Sequence, residues 1–209
     1  MGIEREIKLA LPPEQADAAV RYFAERTGDE GRDVPLENIY FDTPSLALTQ
    51  AKIALRLRKT PDGWLQTLKA AGTAENGLHS RHEWETPVAG EQLDLDALEH
   101  ICDDAKALDA LRHVAPELRE IFRTRFTRRL WRLEHEGALI EAAIDRGEVS
   151  VEVDGELRRE PISEIELELL HGDEQALHSL AAELCAALPG LAPENINKAQ
   201  RGYRLRARS

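Results

Sequence analysis

The sequence predicts an α+β fold: a closed antiparallel β-barrel of about eight strands, with a polar, charged lumen and helices wrapped around it. Three observations predict it. The first is alternation of charged and apolar residues in short runs such as Glu4-Arg5-Glu6-Ile7-Lys8, Leu55-Arg56-Leu57-Arg58 and Glu164-Ile165-Glu166-Leu167-Glu168-Leu169. Successive side chains of a strand point to opposite faces, so Glu4, Glu6 and Lys8 share one side, as do the three later glutamates. The second is what the charged side contains. An exposed face mixes in Thr, Ser, Gln and Lys, whereas here Arg and Glu dominate and segregate by strand. The third is a set of three amphipathic helical patterns, enough to cover the apolar side. Any one such strand alone would read as half-buried sheet with its polar side in water. Together they read as a wall enclosing a space, and about eight antiparallel strands can close around a small ligand.

Composition is consistent with this. The 209 residues are 32% charged and 42% hydrophobic, a globular profile large enough for one sizeable core. A net charge of -12 argues against nucleic-acid or anionic-membrane partners, which need a broad basic surface, so any basic cluster is local. The N-terminus lacks the apolar core of a signal peptide, and no later stretch approaches a membrane span. Cys102 and Cys185 lie far apart in helix-like patterns. They read as buried thiols in a reducing compartment, and the expected location is cytoplasmic. No linker or low-complexity tract divides the chain, so residues 1–209 are expected to form a single domain, with the oligomeric state open.

The elements follow in order. After the first strand, Pro12 to Thr27 reads as a helix: two prolines suit its first turn, Ala16, Ala19, Val20 and Phe23 form its stripe, and Gly28 ends it. Residues 29–36 read as a polar loop. Asn38-Ile39-Tyr40-Phe41-Asp42 is a short strand stopped by Thr43-Pro44. Strands are expected at about 52–60, 64–70 and 80–88, the first two joined by Pro61-Asp62-Gly63. Residues 92–113 look largely helical. Further strands are expected at about 119–134, 138–145, 148–153 and 162–170, separated by Glu136-Gly137, Arg146-Gly147 and Asp154-Gly155. An amphipathic helix spans 173–188, and a final basic segment holds Lys198, Arg201 and Gly202.

If the charges face inward, the lining sorts by chemistry. Lys8, Arg56, Arg58, Lys69, Arg81, Arg123, Arg125, Lys198 and Arg201 form a basic set matched to several phosphates in a row. Glu4, Glu6, Glu164, Glu166 and Glu168 form an acidic set matched to Mg²⁺ or Mn²⁺, which prefer oxygen ligands. Clustering carboxylates without cations is costly, which itself argues for metal. Glu83, Glu85, Glu141 and Asp145 are less clearly assigned.

Glu4-x-Glu6-x-Lys8 resembles the ExExK signature of the CYTH domain, the triphosphate tunnel metalloenzymes. Residues 38–44, Leu55-Arg56-Leu57-Arg58, Thr67-Leu68-Lys69, Arg81-His82-Glu83, Glu164 to Leu169, Lys198 and Arg201-Gly202 extend the likeness over nearly the whole chain. Gly77-Leu78-His79 and Asp145-Arg146-Gly147-Glu148-Val149 resemble the bacterial inorganic triphosphatase branch, some members of which carry a further helical histidine-rich (CHAD) domain. That domain is expected to be absent here. The resemblance implies an eight-stranded tunnel hydrolysing a small linear triphosphate to pyrophosphate and phosphate with divalent metal. It implies metal held by Glu4, Glu6, Glu166 and Glu168, with Glu164 on the same face. Phosphate would be gripped by Lys8, Arg56, Arg58, Lys69, Arg123, Arg125 and Lys198, joined by Arg81 and Arg201. Glu83, Glu85 and Asp145 would orient water or basic partners. Metal and basic side chains would stabilise the transferring phosphoryl group, and metal would lower the pKa of the attacking water.

Two other activities share that fold, adenylate cyclase of the class IV type and thiamine triphosphatase. Both need a place for an organic base, and aromatic residues are 5% of this chain with few on the lining side. A non-catalytic polyphosphate-binding module could dispense with the full glutamate set. The seven histidines show no metal-ligand spacing, and Gly28-Asp29-Glu30-Gly31 lacks the strand-to-helix setting of a phosphate loop.

Overall fold

The computed structural model describes residues 2–208. Eight long strands form the barrel: β1 (Gly2–Ala10), β2 (Arg32–Asp42), β3 (Ala54–Thr60), β4 (Gly63–Glu75), β5 (Leu78–Val88), β6 (Arg119–His135), β7 (Ala138–Val153) and β8 (Glu156–His171). They pair in the order β5-β4-β3-β2-β6-β7-β8-β1, and β1 pairs back to β5 with Glu4 opposite Arg81, which closes the cylinder. Every neighbour is antiparallel. A two-residue strand, β9 (Ala192–Pro193), pairs with the end of β1.

On most strands the apolar parity points out of the barrel and is covered by helices, as the alternation requires. Helix α1 (Ala16–Thr27) ends at Gly28, whose φ of 70° suits a residue without Cβ. Its Phe23 stacks on Trp131 of β6 at 5.1 Å. Together with Leu177, Leu180 and Leu184 of α5 (Gln175–Ala187), α1 covers Ile7, Leu9, Leu133, Ile140, Ile165 and Leu167. On the other flank, α2 (Ala47–Gln50), α3 (Leu95–Ile101) and α4 (Ala105–Val114) bury Leu55, Leu68 and Trp84 beneath Leu48, Leu98 and Leu111. Each such large side chain contributes roughly 1.5–3 kcal/mol on burial.

Several boundaries differ from the sequence reading, each for a local reason. The helical pattern over 92–113 is two helices, because Asp104 caps α4 by accepting from the Lys106 and Ala107 backbone N–H groups. Residues 32–36 are strand, since β2 pairs with β6 as far as Arg32 opposite Leu130. The turn expected at Arg146-Gly147 is absent and β7 runs through it. A Cβ at Gly147 would lie 2.1 Å from the Arg125 carbonyl oxygen and 2.4 Å from Phe126 Cα. That glycine serves close backbone approach, not a turn, and nine expected runs become eight strands.

The last basic segment is a helix, α6 (Lys198–Ala207), opened by a capping box between Asn197 and Gln200. It fills one end of the barrel. Ala199, Tyr203 and Leu205 pack on Tyr40, Phe122, Phe126, Val149, Val151 and Ile162. Gly202 sits against the Phe122 ring, where a Cβ would meet Cε2 at 2.2 Å. The barrel interior is therefore apolar at the α6 end and charged beyond it. No helix among the described residues is long and apolar enough to cross a membrane.

Candidate active site

The charged part of the lumen encloses a cavity of about 380 Å³, within the range of small-ligand pockets. Glu4, Glu6 and Lys8 reach it from β1, Arg56 and Arg58 from β3, and Lys69 from β4. Arg81, Glu83 and Glu85 come from β5, Arg128 from β6, Glu141 from β7, Glu166 and Glu168 from β8, and Lys198 from α6. Arg58, Arg128 and Glu141 also line an adjoining space of about 610 Å³, together with Val34, Leu65, Trp64, Pro87 and Leu130.

The foot of the cavity is a compact ion network. Lys198 Nζ donates to Glu164 Oε1 at 2.5 Å, Asp145 Oδ2 at 2.6 Å and Glu166 Oε1 at 2.8 Å. Arg128 donates through Nε and Nη2 to both Asp145 oxygens, at 2.8 and 2.7 Å, and also to Glu166. Lys8 donates to Glu166 and lies 3.1 Å from Glu6 Oε1. Burial opposes ionisation of Asp145 and Glu166, but Arg128 and Lys198 outweigh it and hold both carboxyls below their usual range. Burial dominates at Glu164 and pushes it up.

Nearer the open side, Lys69 Nζ contacts Glu4 Oε2 at 2.8 Å and Glu83 Oε2 at 2.7 Å. Arg81 bridges Glu4 at 2.9 Å and Glu6 at 2.8 Å. Burial works against the Glu4 carboxylate, yet Lys69 and Arg81 keep its pKa well below the usual range. Arg56 is less well matched, 3.5 Å from Glu83 and 4.0 Å from Glu85, and its buried Nε has no partner. Arg58 is bonded through Nε to Asn38, and its pKa is pushed down to about 10 by burial and then by Arg56 and Arg128. Arg58 is thus a cation short of counter-charge facing the cavity, and Arg56 is held there only by its longer contacts to Glu83 and Glu85.

The carboxylates divide in the same way. Asp145, Glu164 and Glu166 hold oxygens within 4.8 Å of one another, a spacing that suits a cation. The Lys198 ammonium already lies among them, so their charge is met. Glu168 is the opposite case. Its pKa is pushed up to about 7 by burial and then by Glu4, Glu6, Glu141 and Glu166. A hard divalent cation near Glu168, Glu4, Glu6 and Glu141 would relieve that repulsion, and carboxylate oxygens are the donors such a cation takes.

Most residues expected in the lumen meet there, and five do not line the cavity as expected. Arg123 and Arg125 sit outside the barrel. Arg123 donates to Glu37, Glu91 and Glu120, and Arg125 donates to Glu37 at 2.8 Å with its side chain 56% exposed. They share the parity of Trp131, which packs under α1. The inward face of β6 carries Thr124, Phe126 and Arg128. Its apolar members there pack on α6, which inverts the usual rule that the apolar side faces out. Arg201 lies behind the lining, 2.9 Å from Glu194 and 3.3 Å from Glu164. Glu164, expected beside a metal, is fully buried against Lys198, as is Asp145, which positions Arg128 and Lys198 from below. Glu83 and Glu85 do line the cavity. Arg128 is the luminal arginine that the sequence reading missed. The parity of Trp131, an obvious outward residue, was the signal that could have found it.

The CYTH domain family model matches residues 2–203. The chain is 32% identical over 203 residues, 97% of its length, to an inorganic triphosphatase of Haemophilus influenzae, and spans about half (54%) of that relative. Among solved structures, the fold is similar to a putative adenylyl cyclase from Hippeastrum described as having a dominant triphosphatase activity. That match has a TM-score of 0.66 and 17% identity over 96% of this chain and 95% of the other. A putative adenylate cyclase from Bacillus halodurans gives a TM-score of 0.58 and 21% identity, covering 95% and 96% of the two chains.

Proposed function

The chain belongs to the CYTH domain family, and we propose that it hydrolyses inorganic triphosphate to pyrophosphate and phosphate inside this barrel, with Mg²⁺ or Mn²⁺ as cofactor. The observation that carries the proposal is the unmatched charge on opposite walls of one cavity. Arg58 has no carboxylate partner among the described residues and Arg56 reaches Glu83 and Glu85 only at 3.5 and 4.0 Å, while Glu168 is crowded by carboxylates. A linear triphosphate with a divalent cation supplies both missing partners at once. The similarity to an inorganic triphosphatase supports the same reading.

The residues divide the work. Arg56, Arg58, Lys69 and Arg128 donate to phosphate oxygens, each charge-assisted bond contributing about 1.5–3 kcal/mol. Glu4, Glu6, Glu141 and Glu168 would hold the metal, which supplies charge neutralisation for the transferring group and acidifies a water. Glu83 fixes Lys69 at 2.7 Å, and Glu85 accepts from Thr67 at 2.9 Å, which keeps its carboxylate beside Arg56. Lys198 and Asp145 hold the foot of the cavity electrically balanced. No side-chain nucleophile is required.

One observation favours a second reading. The adjoining 610 Å³ space carries Val34, Leu65, Trp64, Pro87 and Leu130, which could receive the organic part of a nucleoside or thiamine triphosphate. A panel of tripolyphosphate, ATP, thiamine triphosphate and pyrophosphate, assayed with Mg²⁺, with Mn²⁺ and with chelator, decides between them. Metal-dependent phosphate release that favours tripolyphosphate is expected. Chelator-resistant turnover would sink the metal assignment, a preference for an organic triphosphate would favour the second reading, and binding without turnover would indicate a polyphosphate-binding module.

A further inference from the structure

Arg58, Asn38 and Thr124 lie on one rung across three adjacent strands. Asn38 of β2 pairs with Arg58 of β3 on one side and with Thr124 of β6 on the other. Their side chains form a directed chain: the Thr124 hydroxyl accepts from Asn38 Nδ2 at 2.7 Å, and Asn38 Oδ1 accepts from Arg58 Nε at 2.8 Å. Asn38 and Thr124 are fully buried. With the amide nitrogen engaged by Thr124, the amide oxygen is turned toward the arginine.

The need for such a support follows from the charges around Arg58. No ion pair to Arg58 forms among the described residues, and Arg56 and Arg128 repel it. A guanidinium in that setting would turn toward solvent or recruit a carboxylate. A carboxylate at position 38 would hold Nε equally well but would cancel the charge. A neutral amide holds the guanidinium by one edge, keeps its charge intact and leaves Nη1 and Nη2 for a ligand.

We infer that Asn38, braced by Thr124, is a positioning residue that fixes Arg58 as an uncompensated anion receptor in the lumen. The inference rests on the proposal that this cavity binds a triphosphate. It predicts that Asn38 acts on anion affinity only through Arg58.

The test is a double-mutant cycle read by calorimetric binding of tripolyphosphate to the intact chain without metal, where no turnover intervenes. Arg58→Ala and Asn38→Ala should each weaken binding, Asn38→Ala by on the order of tenfold. In the Arg58→Ala background, Asn38→Ala should add less than about twofold, because the two act as one unit. Equal losses from Asn38→Ala in both backgrounds would overturn the inference, because a general packing role does not depend on Arg58. If Arg58→Ala binds like wild type, the anion site itself is wrong and the inference falls with it. Should Asn38→Ala fail to fold, Thr124→Val replaces it in the cycle. It should weaken binding several-fold, and Thr124→Ser, which keeps the hydroxyl, should recover most of that loss. A Thr124→Val protein binding as tightly as wild type would overturn the brace.

Discussion

Lys198 Nζ lies 2.5 Å from Glu164 Oε1, so the first residue of α6 places its ammonium against a fully buried carboxylate of β8. With Asp145 and Glu166 at 2.6 and 2.8 Å, this one lysine contacts three carboxylates and, together with Arg128 and Lys8, offsets their charge. It also ties the end of the barrel shut.

Lys198→Met should therefore destabilise the protein by roughly 3–5 kcal/mol near neutral pH, the cost of leaving buried charge unpaired. Asp145 and Glu166 have lowered folded-state pKa values. Their stabilisation is present above the ordinary carboxylate range and lost as pH falls through the lowered values. In the variant, protonation of the orphaned carboxylates relieves the penalty. Urea melts should show the gap between wild type and variant narrowing from pH 7.5 to about pH 4.5. A gap that stays constant with pH would contradict the ion network.

Glu168 gives a signed pH dependence of metal binding. Its folded-state pKa is raised to about 7, so without metal, ionisation costs stability as pH rises from the ordinary carboxylate value through 7. A divalent cation favours the ionised form and should displace a proton near neutrality. Calorimetry of Mg²⁺ binding in buffers of different ionisation enthalpy should show proton release around pH 6.5, and Glu168→Gln should abolish it. Undiminished release from the variant would place the titrating group elsewhere.

Arg125 and Arg128 test the assignment of faces on β6. Arg125→Ala removes an outer-face pair with Glu37, worth about 0–1 kcal/mol, and should leave kcat/KM within about twofold of wild type. Arg128→Ala should lower kcat/KM by about one to two orders of magnitude, the equivalent of one lost charge-assisted phosphate contact. Steady-state kinetics on tripolyphosphate decides, and the reverse ranking would return Arg125 to the lumen.

Gly147→Ala should cost several kcal/mol, because the new methyl would meet the Arg125 carbonyl and Phe126 Cα at 2.1 and 2.4 Å, both backbone atoms that cannot turn aside. Thermal melts against a Gly137→Ala control measure it. The control position has open space but a φ of 77°, so it bears backbone strain alone. Equal shifts in the two would mean that β6 and β7 do not approach as closely as described.

The barrel and most of its lining were legible from the alternation of residues along the chain. Alternation in β1, β3 and β8 has period two, and covering helices were legible as 3.6-period stripes, so Glu4, Glu6, Lys8, Arg56, Arg58 and Glu166 could be placed inward without coordinates. Which residues share a face is local, since it depends only on place along the strand, and the inward sense came from the strands and helices taken together. Which face lies inside where the polarity reverses is fixed only by the closed barrel. Along β6 the inner wall is Phe126 under α6 and then Arg128 at the cavity, while Arg123 and Arg125 face out to Glu37. The reversal exists because a helix from the far end of the chain fills that end of the barrel, and within β6 only the outward parity of Trp131 points to it. The pairing of carboxylates was hidden for the same reason. Glu164 and Glu168 look equivalent in sequence, yet one receives the ammonium of Lys198 and the other is dominated by the charges of Glu4, Glu6, Glu141 and Glu166. Electrostatic energy depends on distance through space, which only the closed barrel fixes.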